Sequence, residues 1–289
     1  MNYAYFPGCS LHGTAVEYDE SARAVAGSLG IDLVEIPDWT CCGSTPAHLT
    51  DDLLAVALPV KNILRAKEVS DQIAVCCAAC YSRFKFANKH VQEKEDIRTQ
   101  VGEVLGAEYS GDMRVRHFLD ILINDVGLEK VAESVKRNLG GLKVACYYGC
   151  LLTRPPKVAE FDDPEDPTSL DNLMKTLGAE PISWPCKTEC CGATFSLTKT
   201  DIVLKLSHDI LAQAKKRGAE AIVLACPLCQ ANLDMRQSDI NKRYGVEFDL
   251  PIFYFTQLLG LALGLDGADL GLKRAMVNPM NILKEKELV

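Results

Sequence analysis

Gln72-Ile73-Ala74-Val75-Cys76-Cys77-Ala78-Ala79-Cys80 and Ala221-Ile222-Val223-Leu224-Ala225-Cys226-Pro227-Leu228-Cys229 decide how this chain is read. Each is a short apolar run ending on Cys-x-x-Cys, and the second lies 149 residues after the first (226 − 77 = 149). Such a pattern is that of a buried strand running into the start of a helix. The same offset carries Cys41-Cys42-Gly43 onto Cys190-Cys191-Gly192. Cys9, after Gly8, meets Cys150, after Gly149, at an offset of 141. The difference of eight places an insertion between Cys150 and Cys190, and the acidic, proline-broken Phe161–Thr168 has the composition of that loop. Further on, Met113–Gly127 lies opposite Leu250–Gly264. The chain is therefore a tandem duplication, with domains 1–140 and 141–289 meeting at Gly140-Gly141.

Outward from these stretches, strands alternate with helices. Strands are expected over Asn2–Phe6, Asp32–Ile36, Gln72–Cys76, Lys143–Tyr147, Pro181–Trp184 and Ala221–Ala225. Helices are expected over Ala15–Leu29, Leu53–Ala66 (perturbed by Pro59), Ser169–Leu177 and Asp201–Arg217, with another opening at Cys77. This alternation predicts an α/β fold, a small, mostly parallel sheet flanked by helices in each half. Each cysteine group then falls just past the C-terminal end of a strand, the edge at which open α/β sheets place their ligands.

Composition narrows the class. With 289 residues, 48% hydrophobic and 24% charged, the chain has ample material for a core. Its net charge of −8 argues against a nucleic-acid binder. No apolar run reaches the roughly 18 residues of a membrane span; the longest, Pro251–Leu265, is interrupted by Thr256 and Gln257. The start of the chain has neither the basic stretch nor the long apolar segment of a secretory signal, so a cytoplasmic protein is expected. Thirteen cysteines in such a chain read as metal or redox groups rather than a disulfide framework. Ten recur between the halves. Cys76, Cys146 and Cys186 do not, falling opposite Ala225, Tyr5 and Pro37, and are expected to be small core or loop residues.

Five recurring thiols per half exceed the four of a zinc tetrahedron or a regular cubane cluster. An adjacent Cys-Cys pair suits a larger or opened cluster, since neighbouring cysteines can serve different irons. Spacing favours iron–sulfur while leaving zinc open, and the surrounding cysteines speak against a thioredoxin-like Cys-x-x-Cys pair.

The pattern Cys9 … Cys41-Cys42-Gly43 … Cys77-x-x-Cys80, repeated as Cys150 … Cys190-Cys191-Gly192 … Cys226-x-x-Cys229, resembles the cysteine-rich CCG domain family. Two such domains in tandem resemble the catalytic, cysteine-rich subunits of the heterodisulfide reductases of methanogenic archaea. The resemblance implies two Rossmann-like CCG domains, each with a noncubane [4Fe-4S] cluster. Cys9, Cys41, Cys42, Cys77 and Cys80 would hold one; Cys150, Cys190, Cys191, Cys226 and Cys229 would hold the other. It further implies reduction of the mixed disulfide of coenzyme M and coenzyme B in methanogenesis. That reaction takes two electrons, and two clusters facing each other match it. The implied partners are the small iron–sulfur subunit of heterodisulfide reductase and its flavin-containing, electron-bifurcating subunit, with hydrogenase or formate dehydrogenase modules upstream. The main rival is an electron-transfer component of a lactate-, glycolate- or succinate-oxidising complex; a zinc-stabilised docking module is the second.

Weaker signals surround the cysteines. No Gly-x-Gly-x-x-Gly, P-loop or Cys-x-x-Cys-x-x-Cys run occurs, so electrons are expected from another polypeptide. The implied substrate is anionic at both ends, which nominates Arg83, Lys85, Arg154, Lys187 and Lys199. His12, three residues past Cys9, is a candidate proton donor, although Thr153 holds the matching place. His48, His90, His117 and His208 have no cysteine register and read as structural.

Overall fold

A computed structural model describes residues 1–289, apart from the side chains of Thr45 and Thr194. The first half runs β1 (Asn2–Phe6), α1 (Gly8–His12), α2 (Val16–Ser28), β2 (Asp32–Glu35), α3 (Ser44–Thr50), α4 (Asp52–Lys67), β3 (Gln72–Val75), α5 (Ala78–Glu93), α6 (Glu95–Leu105), β4 (Arg114–His117) and α7 (Phe118–Asp120). A π-helical turn (Ile121–Gly127) and α8 (Leu128–Ser134) lead into the second half. There β5 (Lys143–Tyr147), α9 (Pro156–Ala159), α10 (Ser169–Thr176), β6 (Glu180–Pro181), α11 (Thr200–Lys216), β7 (Ala221–Leu224), α12 (Pro227–Leu233), α13 (Gln237–Tyr244), β8 (Ile252–Tyr254), α14 (Phe255–Ala262) and α15 (Met280–Glu285) follow.

Two four-stranded sheets result, ordered β2-β1-β3-β4 and β6-β5-β7-β8, with every pairing parallel. Parallel pairing requires crossover helices, and it brings the C-terminal ends of all four strands of a sheet to one edge. The central strands β1, β3, β5 and β7 are covered on both faces and so read as continuous apolar runs.

Two strands are not legible in the sequence. β4 is Arg-Val-Arg-His and β8 is only Ile-Phe-Tyr, too short and, for β4, too charged to stand out; both complete their sheets within the aligned Met113–Gly127 and Leu250–Gly264 segments. The expected Pro181–Trp184 strand is corrected to Glu180–Pro181. Pro181 has no N–H for the ladder, and only Ile182 continues it, donating to the Val144 carbonyl at 2.9 Å. Helix α4 runs through Pro59 and is capped by Asp51, whose Oδ1 accepts from the Leu54 amide at 2.7 Å.

One hydrophobic core runs through both halves. At their boundary α14 packs on α2, α5 on α9 and α1 on α12. Tyr18 stacks on Tyr254 with ring centroids 4.0 Å apart, and the Ser21 and Thr256 hydroxyls meet at 2.7 Å in a fully buried contact. Tyr81 donates to the Ala159 carbonyl at 2.5 Å, and Lys85 pairs with Glu160 at 2.7 Å. The apolar stripe Phe253, Phe255, Leu258 and Leu259 is core.

Candidate metal centre at the lobe boundary

The sheet edges assemble ten thiols. Cys9 follows β1 on α1, Cys41 and Cys42 lie in the loop between β2 and α3, and Cys77 caps α5 with Cys80 in its first turn. The second half repeats this with Cys150, Cys190-Cys191, and Cys226 capping α12 before Cys229. In the first quintet Cys9 hydrogen-bonds Cys41, Cys41 contacts Cys42, Cys42 Sγ lies 3.2 Å from Cys80 Sγ, and Cys80 contacts Cys77. In the second, Cys150 contacts Cys190, Cys191 Sγ lies 3.6 Å from Cys229 Sγ, and Cys229 contacts Cys226. Cys77 and Cys226 hydrogen-bond each other, so the two networks join across the lobe boundary.

Burial grades each quintet in the same way. Cys9, Cys41 and Cys190 are exposed and Cys150 is half-buried, while Cys42, Cys77, Cys80, Cys191, Cys226 and Cys229 are buried. A thiol site therefore has a solvent-facing end and a dry end in each lobe, and the dry ends meet.

The electrostatics favour thiolate at particular positions. Cys41 is held well below the usual thiol range, first by its contact with Cys42 and then by Cys9. Cys150 does the same for Cys190, helped by the Gly192 amide, which donates to Cys190 Sγ at 3.3 Å. Cys226 is lowered by Cys229, by Cys77 and by the Cys229 and Leu228 amides at the start of α12. Their partners Cys42, Cys77, Cys80 and Cys229 are pushed up correspondingly, Cys77 chiefly by its contact with Cys226. Asn232 adds a donor to Cys191, its Nδ2 reaching the Cys191 carbonyl at 3.2 Å and Sγ at 3.6 Å.

Two glycines keep the backbone against this sulfur. Gly8 and Gly149 sit at φ 71° and 68°, and a Cβ there would stand 3.3 Å from Cys80 Sγ and 3.1 Å from Cys229 Sγ. Both the left-handed backbone and the close approach require glycine. Among the described residues no three His, Cys, Asp or Glu donors surround one point as a single ion requires. The sulfurs instead form a chain of pairwise contacts.

Cys76, Cys146 and Cys186 stand outside that chain. Buried Cys76 accepts from the Tyr5 hydroxyl at 3.8 Å, Cys146 lies within β5, and Cys186 has no thiol neighbour among the described residues. The register thus separates Cys77 from adjacent Cys76. Of the nominated cations, Arg154 bonds the Pro164 carbonyl, Thr188 and Glu165, and Lys187 bonds the Pro167 carbonyl, Asp166 and Asp171. These two pin down the acidic insertion. Lys85 is engaged by Glu160. Arg83 lies over Phe86 with Nη1 3.4 Å from His48 Nδ1, and Lys199 is exposed. Neither has a carboxylate partner among the described residues. His12 stands 3.3 Å from Glu35 and edge-on to Trp39.

The sequence reads His117 as merely structural, and its position is more informative. It is fully buried at the end of β4, with Nε2 2.8 Å from the Cys76 carbonyl and 3.2 Å from the Ala225 carbonyl. The one signal that could have found it lies in the repeat, where His117 aligns with Tyr254 at the same sheet edge as the cysteines.

The cysteine-rich domain model matches residues 3–85 and 144–234, once in each lobe. The chain belongs to the cysteine-rich CCG family. Each match contains one complete quintet. As a CCG protein it is 32% identical over 279 residues to the 8-methylmenaquinol:fumarate reductase membrane anchor subunit of Wolinella succinogenes, covering 96% of this chain and 97% of that one. It is 28% identical to a cysteine-family relative named as one of the subunits of the ferredoxin/F420H2-dependent CoB-CoM heterodisulfide reductase of Methanosarcina acetivorans, over 96% of this chain and 94% of that one. No helix of this CCG chain is long and apolar enough to cross a membrane. A solved structure of a hypothetical protein from Helicobacter pylori superimposes with TM-score 0.77 at 14% identity, over 96% of this chain and 52% of that one, a likeness of fold alone.

Proposed function

We propose that the chain is the disulfide-reducing component of a heterodisulfide reductase, with a noncubane [4Fe-4S] cluster on Cys9, Cys41, Cys42, Cys77 and Cys80 and another on Cys150, Cys190, Cys191, Cys226 and Cys229. The carrying observation is the Cys77–Cys226 contact, through which the two thiol networks meet at one boundary. The donor set fits: a chain of sulfurs, several favoured as thiolate, suits a polynuclear centre better than the four convergent ligands of structural zinc. Two such centres, when bound, supply one electron each, the pair that a disulfide needs.

The chain's own residues would do the rest. Gly8 and Gly149 hold the backbone close to the buried sulfurs, and the exposed Cys9, Cys41 and Cys190 mark the side from which a substrate enters. Arg83 and Lys199 are the cations left to orient an anionic disulfide such as that of coenzyme M and coenzyme B. His12, oriented by Glu35 and Trp39, would deliver a proton to a departing sulfur of the first lobe. Electrons would come from an iron–sulfur partner fed by a flavoprotein. Leu49 and Leu197, 74% and 90% exposed on the segments following Cys42 and Cys191, are apolar surface for such a partner.

The test is anaerobic purification followed by consumption of the coenzyme M–coenzyme B disulfide with a reduced viologen as donor. Turnover is expected. An iron-loaded chain that is inert toward the disulfide yet passes electrons between 8-methylmenaquinol and fumarate within its complex would favour the second reading, an electron-transfer component, which the Wolinella relative supports.

A further inference from the structure

One imidazole touches both lobes behind the paired cysteines. The Leu119 amide donates to His117 Nδ1 at 3.2 Å, which leaves the ring proton on Nε2. That N–H points between two carbonyls, Cys76 at 2.8 Å from the first lobe and Ala225 at 3.2 Å from the second. Cys76 and Ala225 occupy the same place in the repeat, and each is followed by the cysteine that caps the next helix, Cys77 or Cys226. These two thiols are the ones in contact across the boundary. Full burial keeps the ring neutral, and its three backbone partners satisfy both nitrogens.

The duplicated position does something else. Tyr254 caps α14, stacks on Tyr18, and its hydroxyl has no partner among the described residues. A single side chain therefore breaks the pseudo-symmetry where the halves meet. A histidine serving only as the cap of α7 would need Nδ1 alone; the second nitrogen, shared between equivalent carbonyls of different lobes, is unexplained by capping.

We propose that His117 is a positioning residue that ties the ends of β3 and β7 together and thereby fixes the spacing of Cys77 and Cys226. The role concerns the thiols themselves; its consequence for a two-centre disulfide reductase rests on the reading above.

Two substitutions separate tether from cap. His117→Asn keeps an oxygen to accept from the Leu119 amide but is too short to reach the carbonyls. His117→Gln places an amide N–H near the position of Nε2 and gives up the cap. Full-length chain purified without added iron is treated with diamide, which takes two electrons and two protons from a thiol pair to leave a disulfide. Peptide mapping then compares the Cys77–Cys226 product with Cys42–Cys80, a pair within one lobe that serves as the folding reference. The ratio is expected to fall about fivefold in His117→Asn, the effect of one net hydrogen bond, and to stay within about twofold of the parent in His117→Gln. In iron-loaded chain, the spin–spin interaction between the two reduced centres should weaken in the Asn variant alone. An unchanged ratio in both variants, equal losses in both, or joint loss of both disulfides would overturn the proposal. A chain that takes up no iron while the ratios behave as stated would sink the cluster reading and leave the tether standing.

Discussion

At the scale of single residues, conformation and chemistry coincide at Gly8. Its φ of 71° is matched by Gly30, also at 71°, where a Cβ would meet nothing within 4 Å. Gly8→Ala and Gly30→Ala should each lose about 1–2 kcal/mol from the left-handed backbone, measurable by denaturant melts. Only Gly8→Ala pushes on Cys80 Sγ and on Phe6, so only it should lower iron uptake after anaerobic reconstitution. Equal iron in both variants would contradict the cradle. His117 gives a pH dependence of defined sign. Burial holds its pKa below the ordinary 6.5, so below pH 6.5 the unfolded chain binds more protons than the folded one and stability falls as pH falls. The contribution is complete above 6.5 and is lost at up to about 1.4 kcal/mol per pH unit below it. His117→Asn should flatten the melting-temperature slope between pH 7 and 5; an unaltered slope would show that His117 is not the group responsible. Cysteine spacing makes the ten recurring thiols legible, including the choice of Cys77 over Cys76. It gives no hint of what His117 touches, because the residue's partners are carbonyls 41 and 108 residues away.

At the scale of elements, the sheets' central strands are readable because burial on both faces makes them apolar throughout, whereas the edge strands β4, β6 and β8 are not. An edge strand has one neighbour, tolerates charge and proline, and carries less pattern. The packing of α14 on α2 is likewise invisible, since hydroxyls at Ser21 and Thr256 read as ordinary polar positions until they are found 2.7 Å apart with no exposure. Ser21→Ala should orphan the Thr256 hydroxyl and cost about 1–3 kcal/mol, and adding Thr256→Val should recover part of that loss. Simple additivity in denaturant melts of the two single variants and the double variant would deny the coupling.

At the scale of the whole molecule, duplication does more than repeat a fold. It sets two parallel sheets so that matching edges meet, and the cysteines that follow β3 and β7 come into contact where neither lobe alone could place them. The repeat is legible because a fixed cysteine offset stands out against residues that differ between the halves. The orientation of one lobe on the other is not, because it depends on α2, α5 and α1 against α14, α9 and α12, packing that no periodicity records. Joining two five-thiol networks is the central claim. Its most direct test is the count of iron and acid-labile sulfide in anaerobically purified protein, in parent, Cys42→Ser and Cys191→Ser chains. The account predicts about eight of each per parent chain and close to half in either variant. A colourless chain with stoichiometric zinc, or an iron content indifferent to both substitutions, would contradict it.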